Sequence, residues 1–292
     1  MLSPNVETFL GCDASFDEAR IVIYGAPFDS TTSFRPGTRF ASHIMRGESY
    51  GLETYSPYQD LDMEDTRILD SGDLELCFGD AEQALRDIEL RAREILAANK
   101  LPFMIGGEHL VSLGAIRAAA DKYPDLHILH FDAHTDLRDE YLGTKLTHAG
   151  VMRRAWDLVG DEHIWQLGIR SGLREEFQWA REHTRLHKFD LKAMPDAMAA
   201  LKGKPVYFTI DLDVMDPSVF PGTGTPEYGG VSFKELMEAA ILGCSLNIVG
   251  CDVVELAPGL DQSGASTAAA LKILREMLLK LEEPFIRGPQ MV

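Results

Sequence analysis

The chain has 292 residues, of which 45% are hydrophobic and 25% are charged, a composition typical of a globular protein and not of a disordered or fibrous one. Its net charge of −18 repels nucleic-acid phosphates and anionic membrane surfaces, so we expect neither as a partner. The four cysteines lack CxxC spacing, no apolar run reaches about 18 residues, and the amino terminus has no secretory pattern, which excludes a zinc ribbon and a membrane span and favours the cytoplasm.

Apolar runs alternate with helical patterns along the chain. The predicted strands cover residues 20–27, 66–73, 102–106, 126–132, 163–168, 185–188, 205–210 and 246–255. The predicted helices cover residues 41–48, 80–100, 110–122, 148–158, 173–182, 196–201, 232–242 and 265–281. About eight strands alternating with helices predict one parallel sheet covered on both faces. No repeat or linker divides the chain, so we expect a single domain over residues 1–292, with a surface tail or oligomer contact after Pro284.

Four of the predicted strands end in residues that can bind metals. The run Leu129–Asp136 ends with Asp132, His134 and Asp136 at every second position, and alternate side chains of an extended chain share a face. Asp211 and Asp213 follow another apolar run. The remaining two runs end at His109, after two glycines, and at Glu255. Because ligands gather at the carboxyl ends of parallel strands, these ends predict one common site.

The charge of this group indicates what it binds. The carboxylates of Asp132, Asp136, Asp211 and Asp213 would repel one another unless cations were present. Two divalent cations balance four negative charges, and two histidines add one nitrogen ligand per ion. Carboxylate-rich ligation of this kind suits Mn²⁺ better than structural Zn²⁺, so we expect two Mn²⁺ per chain.

Three motifs resemble the signatures of the ureohydrolases, a superfamily of arginases, agmatinases and relatives that release urea from guanidino compounds. They are Gly106-Gly107-Glu108-His109, Phe131-Asp132-Ala133-His134-Thr135-Asp136 and Thr209-Ile210-Asp211-Leu212-Asp213-Val214-Met215-Asp216-Pro217. The resemblance implies a three-layer α/β/α fold with a binuclear manganese site, and an oligomer, a trimer or hexamer.

The resemblance also implies a role for each residue. His109 and Asp136 would hold one ion, His134 and Asp213 the other, and Asp132 and Asp211 would bridge them. Glu255 would receive the substrate guanidinium, and protons would move through Asp213 or His148.

Two loops resemble the agmatinase branch, namely residues 33–40 and 220–227. The segment after Asp136 also lacks the asparagine with which arginases read the amino-acid end of their substrate. The implied reaction is hydrolysis of agmatine to putrescine and urea, a step of polyamine biosynthesis on a small cationic guanidino substrate. An amine tail would suit Asp139, Glu140 or Glu227, whereas a carboxylate tail would need Arg138 or Arg170.

Three alternatives stay open. Guanidinobutyrase, proclavaminate-type amidinohydrolase, formimidoylglutamase and arginase would share the metal site and differ in the loops that bind the substrate tail. A single-zinc deacetylase of related fold would bind about one ion per chain. A metal-loaded scaffold without activity would bind two ions and release no urea.

Overall fold

The structure, a computed structural model, describes residues 6–77 and 79–288. Its strands are β1 Ile21–Gly25, β2 Tyr55–Ser56, β3 Leu61–Asp62, β4 Ile68–Asp73, β5 Leu101–Ile105, β6 His127–Phe131, β7 Ile164–Ile169, β8 Arg185–Lys188, β9 Val206–Asp211 and β10 Ile248–Val254. Its helices are α1 Ala41–Ser49, α2 Ala81–Ala97, α3 Ser112–Lys122, α4 Val151–Val159, α5 Arg174–His183, α6 Met194–Leu201, α7 Phe233–Gly243 and α8 Ala265–Ile286.

Eight of the strands in this described part form one sheet in the order β4-β1-β5-β10-β9-β6-β7-β8. Every strand pair in it is parallel. The predicted fold is therefore confirmed: a central parallel sheet between two helical layers, each strand within two residues of its predicted start.

The two helical layers follow from alternation along the buried strands. In β1, Ile21 and Ile23 join the core under α1, α6, α7 and α8. Val22 and Tyr24 face the opposite way, into the core under α2, α3, α4 and α5. Because both sheet faces are covered, β1 and β9 are buried along their whole length, which explains their continuous apolar sequence.

Local signals set the helix starts. Asp80 caps α2 and accepts a hydrogen bond from Gln83 N at 3.0 Å, as its position predicts. Ser232 and Glu235 form a reciprocal capping box at the start of α7. None of the helices formed by the described residues has the length and apolar character that a bilayer span requires.

One short element was not predicted, and two local predictions were wrong. The sequence did not indicate the short antiparallel hairpin of β2 and β3, which is too short for a detectable alternation. Cys77 is exposed, although its position beside an apolar stretch of the sequence favours a buried thiol. Helix α8, predicted to end at residue 281, continues through Pro284 to Ile286, and Arg20 holds this last turn because it pairs with Glu282 and stacks on Phe285. Residues 289–292 lie outside the described part.

Candidate metal centre and active site

Four neighbouring strands of the sheet carry the candidate site at their carboxyl ends. β5, β10, β9 and β6 are adjacent in that order. His109 lies beyond β5, Glu255 directly follows β10, Asp211 ends β9, and Asp132 directly follows β6. The strand order thus brings together residues that are far apart in sequence, at the edge where parallel sheets bind ligands.

His109 stands at one half of this site, in contact with three carboxylates. Its Nδ1 lies 3.2 Å from Asp132 Oδ2, 3.3 Å from Asp136 Oδ2 and 3.3 Å from Asp211 Oδ2. This nitrogen is buried and has no hydrogen-bond partner among the described residues. For bonds of about 2.1 Å, neighbouring ligands of an octahedral ion lie about 3.0 Å apart, so this spacing fits one cation.

The tautomer of His109 is fixed from the strand behind it. Thr209 Oγ1 donates to Asp252 Oδ1 at 2.6 Å and therefore accepts from His109 Nε2, 2.9 Å away. With its proton on Nε2, the imidazole presents a free lone pair at Nδ1. Such an outer hydrogen bond is what orients a metal-binding histidine.

His134 lies at the other half of the site. Its Nδ1 is 3.1 Å from Asp213 Oδ2 and 3.4 Å from Asp132 Oδ1. These three residues each place a potential ligand atom within 4.8 Å of the other two. Asp132 thus turns one oxygen toward each histidine, which is the geometry of a bridging carboxylate. The structure brings all six predicted ligands together, and those of this half are buried except for the partly exposed His134.

A second hydrogen-bonded pair supports Asp132. Gln166 Nε2 donates to His130 Nδ1 at 3.1 Å, so His130 carries its proton on Nε2 and donates it to Asp132 Oδ2 at 2.8 Å. Sequence reasoning missed both residues, as it missed Thr209 and Asp252. The available signal was a polar side chain inside an apolar strand.

The titration of the carboxylates shows that the cluster is suited to cations. Burial, followed by the negative charge of Asp132, raises the pKa of Asp136 to about 7. Burial and the charges of Asp213 and Asp132 also raise the pKa of Asp211 well above its ordinary value. If these groups are ionised together, they need a positive charge nearby. The unpartnered Nδ1 of His109 faces the same carboxylates and so indicates the position of a cation.

Backbone constraints hold the ligands at their positions. A Cβ on Gly107 would lie 1.9 Å from the carbonyl oxygen of Phe28, so only glycine lets the segment before His109 pass this strand end. Asp136 and Glu255 adopt the left-handed region, with φ of 51° and 66°, which costs a non-glycine residue about 1 kcal/mol or more. Backbone strain of this kind, beyond the carboxyl ends of β6 and β10, is typical of functional sites.

Glu255 is 2% exposed, and its Oε1 accepts a hydrogen bond from His109 N at 2.7 Å. Burial and the charge of Glu108 raise the pKa of Glu255 well above its ordinary value. Glu108 in turn accepts from the hydroxyls of Thr31 and Thr32, which ties the loop of residues 29–38 to the site. This role of Glu108 was not predicted.

His148 begins a short helical turn before α4. Its Nε2 accepts from Ser33 N at 3.2 Å and lies 2.9 Å from Ser33 Oγ, while its backbone N donates to Thr31 Oγ1 at 3.0 Å. Burial lowers the pKa of His148 to about 4. The ring is therefore neutral at pH 7 and lines a cavity beside the cluster.

A cavity of about 380 Å³ opens onto this cluster of histidines and carboxylates. Its lining residues are Ser33, Phe34, His134, Asp136, Arg138, Tyr141, His148, Ala149, Ser171, Thr225, Pro226 and Glu227. This volume suits a small molecule. A larger cavity of about 680 Å³, among Arg20, Leu101 and Ile248, opens at the amino ends of the strands and contains none of the predicted site residues.

The charged tail-binding candidates are not all available to a substrate in this cavity. Glu227 lines it and accepts from Ser171 Oγ at 2.9 Å. Asp139 and Glu140 are exposed outside the lining described here, and Asp139 pairs with Arg154 at 2.7 Å.

The guanidinium of Arg170 is fully engaged by backbone. It donates to the carbonyl oxygens of Gly168, Asp213, Val214, Met215 and Glu227 at 2.7–3.3 Å. Arg170 therefore has no donor left for a substrate carboxylate. Arg138 remains on the cavity wall, stacked at 4.0 Å over the ring of Tyr141.

A family model described as the arginase family matches residues 19–280. The chain is 48% identical to an agmatinase of Bacillus cereus over 277 residues, which cover 94% of this chain and 96% of that one. It is 45% identical, with the same coverage, to an agmatinase of Bacillus subtilis. Among solved structures, it resembles a putative agmatinase from Clostridium difficile with a TM-score of 0.90, 51% identity and coverage of 93% of this chain and 100% of that one.

Proposed function

Because the chain belongs to the arginase family of hydrolases, we propose that it hydrolyses agmatine to putrescine and urea. The family and the high identity to bacterial agmatinases over nearly the whole chain support the guanidino chemistry. The observation that carries the choice of substrate is Glu227 on the cavity wall beside the metal cluster, because it offers a negative charge to the amine tail.

The metal ligands are proposed to be those of the sequence prediction. His109 and Asp136 would hold one divalent cation, His134 and Asp213 would hold the second, and Asp132 and Asp211 would be shared between the two. The proposed ions are Mn²⁺, since four carboxylates and two imidazoles form a mostly oxygen donor set. When bound, such a pair lowers the pKa of water enough to supply a hydroxide nucleophile near neutral pH.

The residues of the chain then bind the guanidinium and move protons. The oxygen of Glu255 that His109 N leaves free is proposed to accept from the planar cation. Asp213, whose Oδ2 lies 3.1 Å from His134 Nδ1, and the neutral His148 on the cavity wall are proposed to accept and return the proton that the leaving amine requires. The Ser33 amide donates to His148 Nε2 at 3.2 Å and so holds the ring on the cavity wall.

A second substrate class is favoured by one residue. Arg138 lines the same cavity, and a carboxylate-tailed substrate such as 4-guanidinobutyrate would pair with it. Its reach is limited because its guanidinium already stacks on Tyr141 and lies 3.8 Å from Glu176. The two tails therefore make opposite demands on Glu227 and Arg138.

Urea release from agmatine, arginine and 4-guanidinobutyrate at equal concentration tests the proposal. Manganese-loaded wild type should favour agmatine. Glu227→Gln should raise KM for agmatine about fivefold with a smaller change in kcat, because a lost partly exposed ion pair is worth about 1 kcal/mol. Arg138→Gln is the matched control and should leave agmatine turnover within about twofold. A preference of the wild type for 4-guanidinobutyrate would contradict the assignment. A loss of agmatine turnover in Arg138→Gln but not in Glu227→Gln would contradict it as well.

A further inference from the structure

A second group of potential metal ligands lies at the amino ends of the strands, far from the candidate active site. His127 is the first residue of β6, His163 directly precedes β7, and Asp125 lies in the turn before β6. Because Ile128 pairs with Ile164 across these parallel strands, the two histidines are lateral neighbours. At about 3.3 Å per residue, the length of β6 places this group about 16 Å from Asp132.

The spacing within this group is that of ligands around one ion. Asp125 Oδ1 lies 3.6 Å from His127 Nε2 and 3.5 Å from His163 Nε2. These distances are too long for hydrogen bonds. Bonds of 2.0–2.1 Å to a tetrahedral ion place neighbouring ligand atoms about 3.4 Å apart, close to both values. The two rings stack with centroids 4.3 Å apart, so both Nε2 atoms face the same oxygen.

The hydrogen bonds around the group leave these nitrogens free. His163 Nδ1 lies 2.8 Å from Asp161 O, and a carbonyl can only accept, so His163 carries its proton on Nδ1 and a lone pair on Nε2. This is the outer contact that orients metal-binding histidines. Both ring nitrogens of His127 are shielded from solvent and have no hydrogen-bond partner within the described chain. A bound ion would satisfy one of them.

We propose that Asp125, His127 and His163 form a third metal site, which takes one Zn²⁺ or a similar divalent transition ion. Two imidazoles and one carboxylate suit Zn²⁺, Ni²⁺ or Cu²⁺ better than the oxygen-preferring Mn²⁺. The partial exposure of all three side chains leaves a fourth position for water. The ion would join the starts of β6 and β7. It would therefore lie at the opposite end of β6 from Asp132 and His134.

Lys204 tunes this site. Its Nζ lies 2.7 Å from Asp125 Oδ2, the oxygen that does not face the histidines. Its positive charge opposes the binding of a cation, while its hydrogen bond keeps the carboxylate oriented. Removal of the charge in Lys204→Met therefore strengthens zinc binding, whereas Asp125→Asn and His163→Asn weaken it.

The test is zinc titration of the full manganese-loaded protein, followed by calorimetry and by elemental analysis of both metals after gel filtration. Wild type should retain one more equivalent of zinc than His163→Asn or Asp125→Asn. Lys204→Met should bind zinc about tenfold more tightly. His187→Asn is the matched control, because His187 stacks on Trp165 outside the group, and it should behave as wild type.

Manganese content measured in the same samples separates the two kinds of site. Exchange of zinc into the binuclear centre removes manganese equally from all variants, whereas binding at the proposed site adds zinc without that loss. Asp125 is more than half exposed, so Asp125→Asn keeps the fold even if His163→Asn does not. Equal zinc uptake by wild type and Asp125→Asn, or unchanged affinity in Lys204→Met, overturns the proposal.

Discussion

Replacement of Arg170 tests how the loop that carries Asp213 is held. Three of the carbonyl contacts of its guanidinium are 3.0 Å or shorter: 2.7 Å to Asp213 O, 2.9 Å to Glu227 O and 3.0 Å to Val214 O. Hydrogen bonds to a charged group contribute about 1.5–3 kcal/mol each. A lysine ammonium can replace one of these contacts. It cannot bind the segment of residues 213–214 and Glu227 at the same time, because it lacks the planar fork of a guanidinium.

Arg170→Lys should therefore lower the free energy of unfolding by about 3 kcal/mol, that is, two lost contacts at the lower end of this range. Urea unfolding of the manganese-loaded protein, followed by circular dichroism, measures the change. The matched control is Arg185→Lys on β8, whose side chain is 49% exposed and pairs with Glu162. It should change the free energy by less than about 0.5 kcal/mol.

A functional measurement separates positioning from substrate binding. All the side-chain donors of Arg170 bind backbone carbonyl oxygens, so the ratio of agmatine to 4-guanidinobutyrate turnover should stay constant in Arg170→Lys. Manganese occupancy should fall, because the segment that carries Asp213 is held less firmly. The reasoning is refuted if the variant is as stable as wild type. It is refuted equally if the substrate ratio changes, because the guanidinium would then reach the substrate tail.

Further predictions concern three other positions. Gly107→Ala should lower the free energy of unfolding by about 3 kcal/mol and lower manganese occupancy, because the new Cβ meets Phe28 O. Gly79→Ala, with open space around it, is the control. Equal stability of the two variants would contradict the packing argument. Asp132→Ala should lose manganese, measured by elemental analysis, as well as activity; retention of both ions would exclude a bridging role. His148 has its pKa lowered to about 4, so the unfolded state binds its proton first as pH falls below 6.5. Between pH 7.5 and pH 5 wild type should lose about 2 kcal/mol more stability than His148→Gln, and parallel curves would contradict the buried neutral ring.

The sequence predicted the sheet because both of its faces are buried. Strands β5, β6, β9 and β10 are marked by largely apolar runs and the helices between the strands by a 3.6-residue period, so the alternation of the two patterns indicated a parallel sheet. The order of the strands was not predictable in this way. β10 inserts between β5 and β9, and no local pattern encodes which strand lies beside which.

That limit explains which site residues were found and which were missed. Each predicted ligand stands at a strand end and is recognisable from its own run. Thr209 acts only because Asp252 is its register partner on β10, and Gln166 acts only because it pairs with His130 on β7 and β6. Their roles depend on adjacency across the sheet, which appears only in the structure. The assignment of the whole chain to one domain stays a prediction, as does the oligomer.

The same adjacency makes the metal centre a property of the sheet and not of any one loop. His109 belongs to the segment after β5, yet its tautomer is set by Thr209 on β9 and Asp252 on β10. Asp132 follows β6, yet His130 and, through it, Gln166 on β7 orient its oxygen. A shift of any central strand would therefore disturb a ligand's proton as well as its position. The orientation of the candidate ligands therefore depends on the packing between the central strands. Substitutions inside β9 or β10 should weaken metal binding before they unfold the chain.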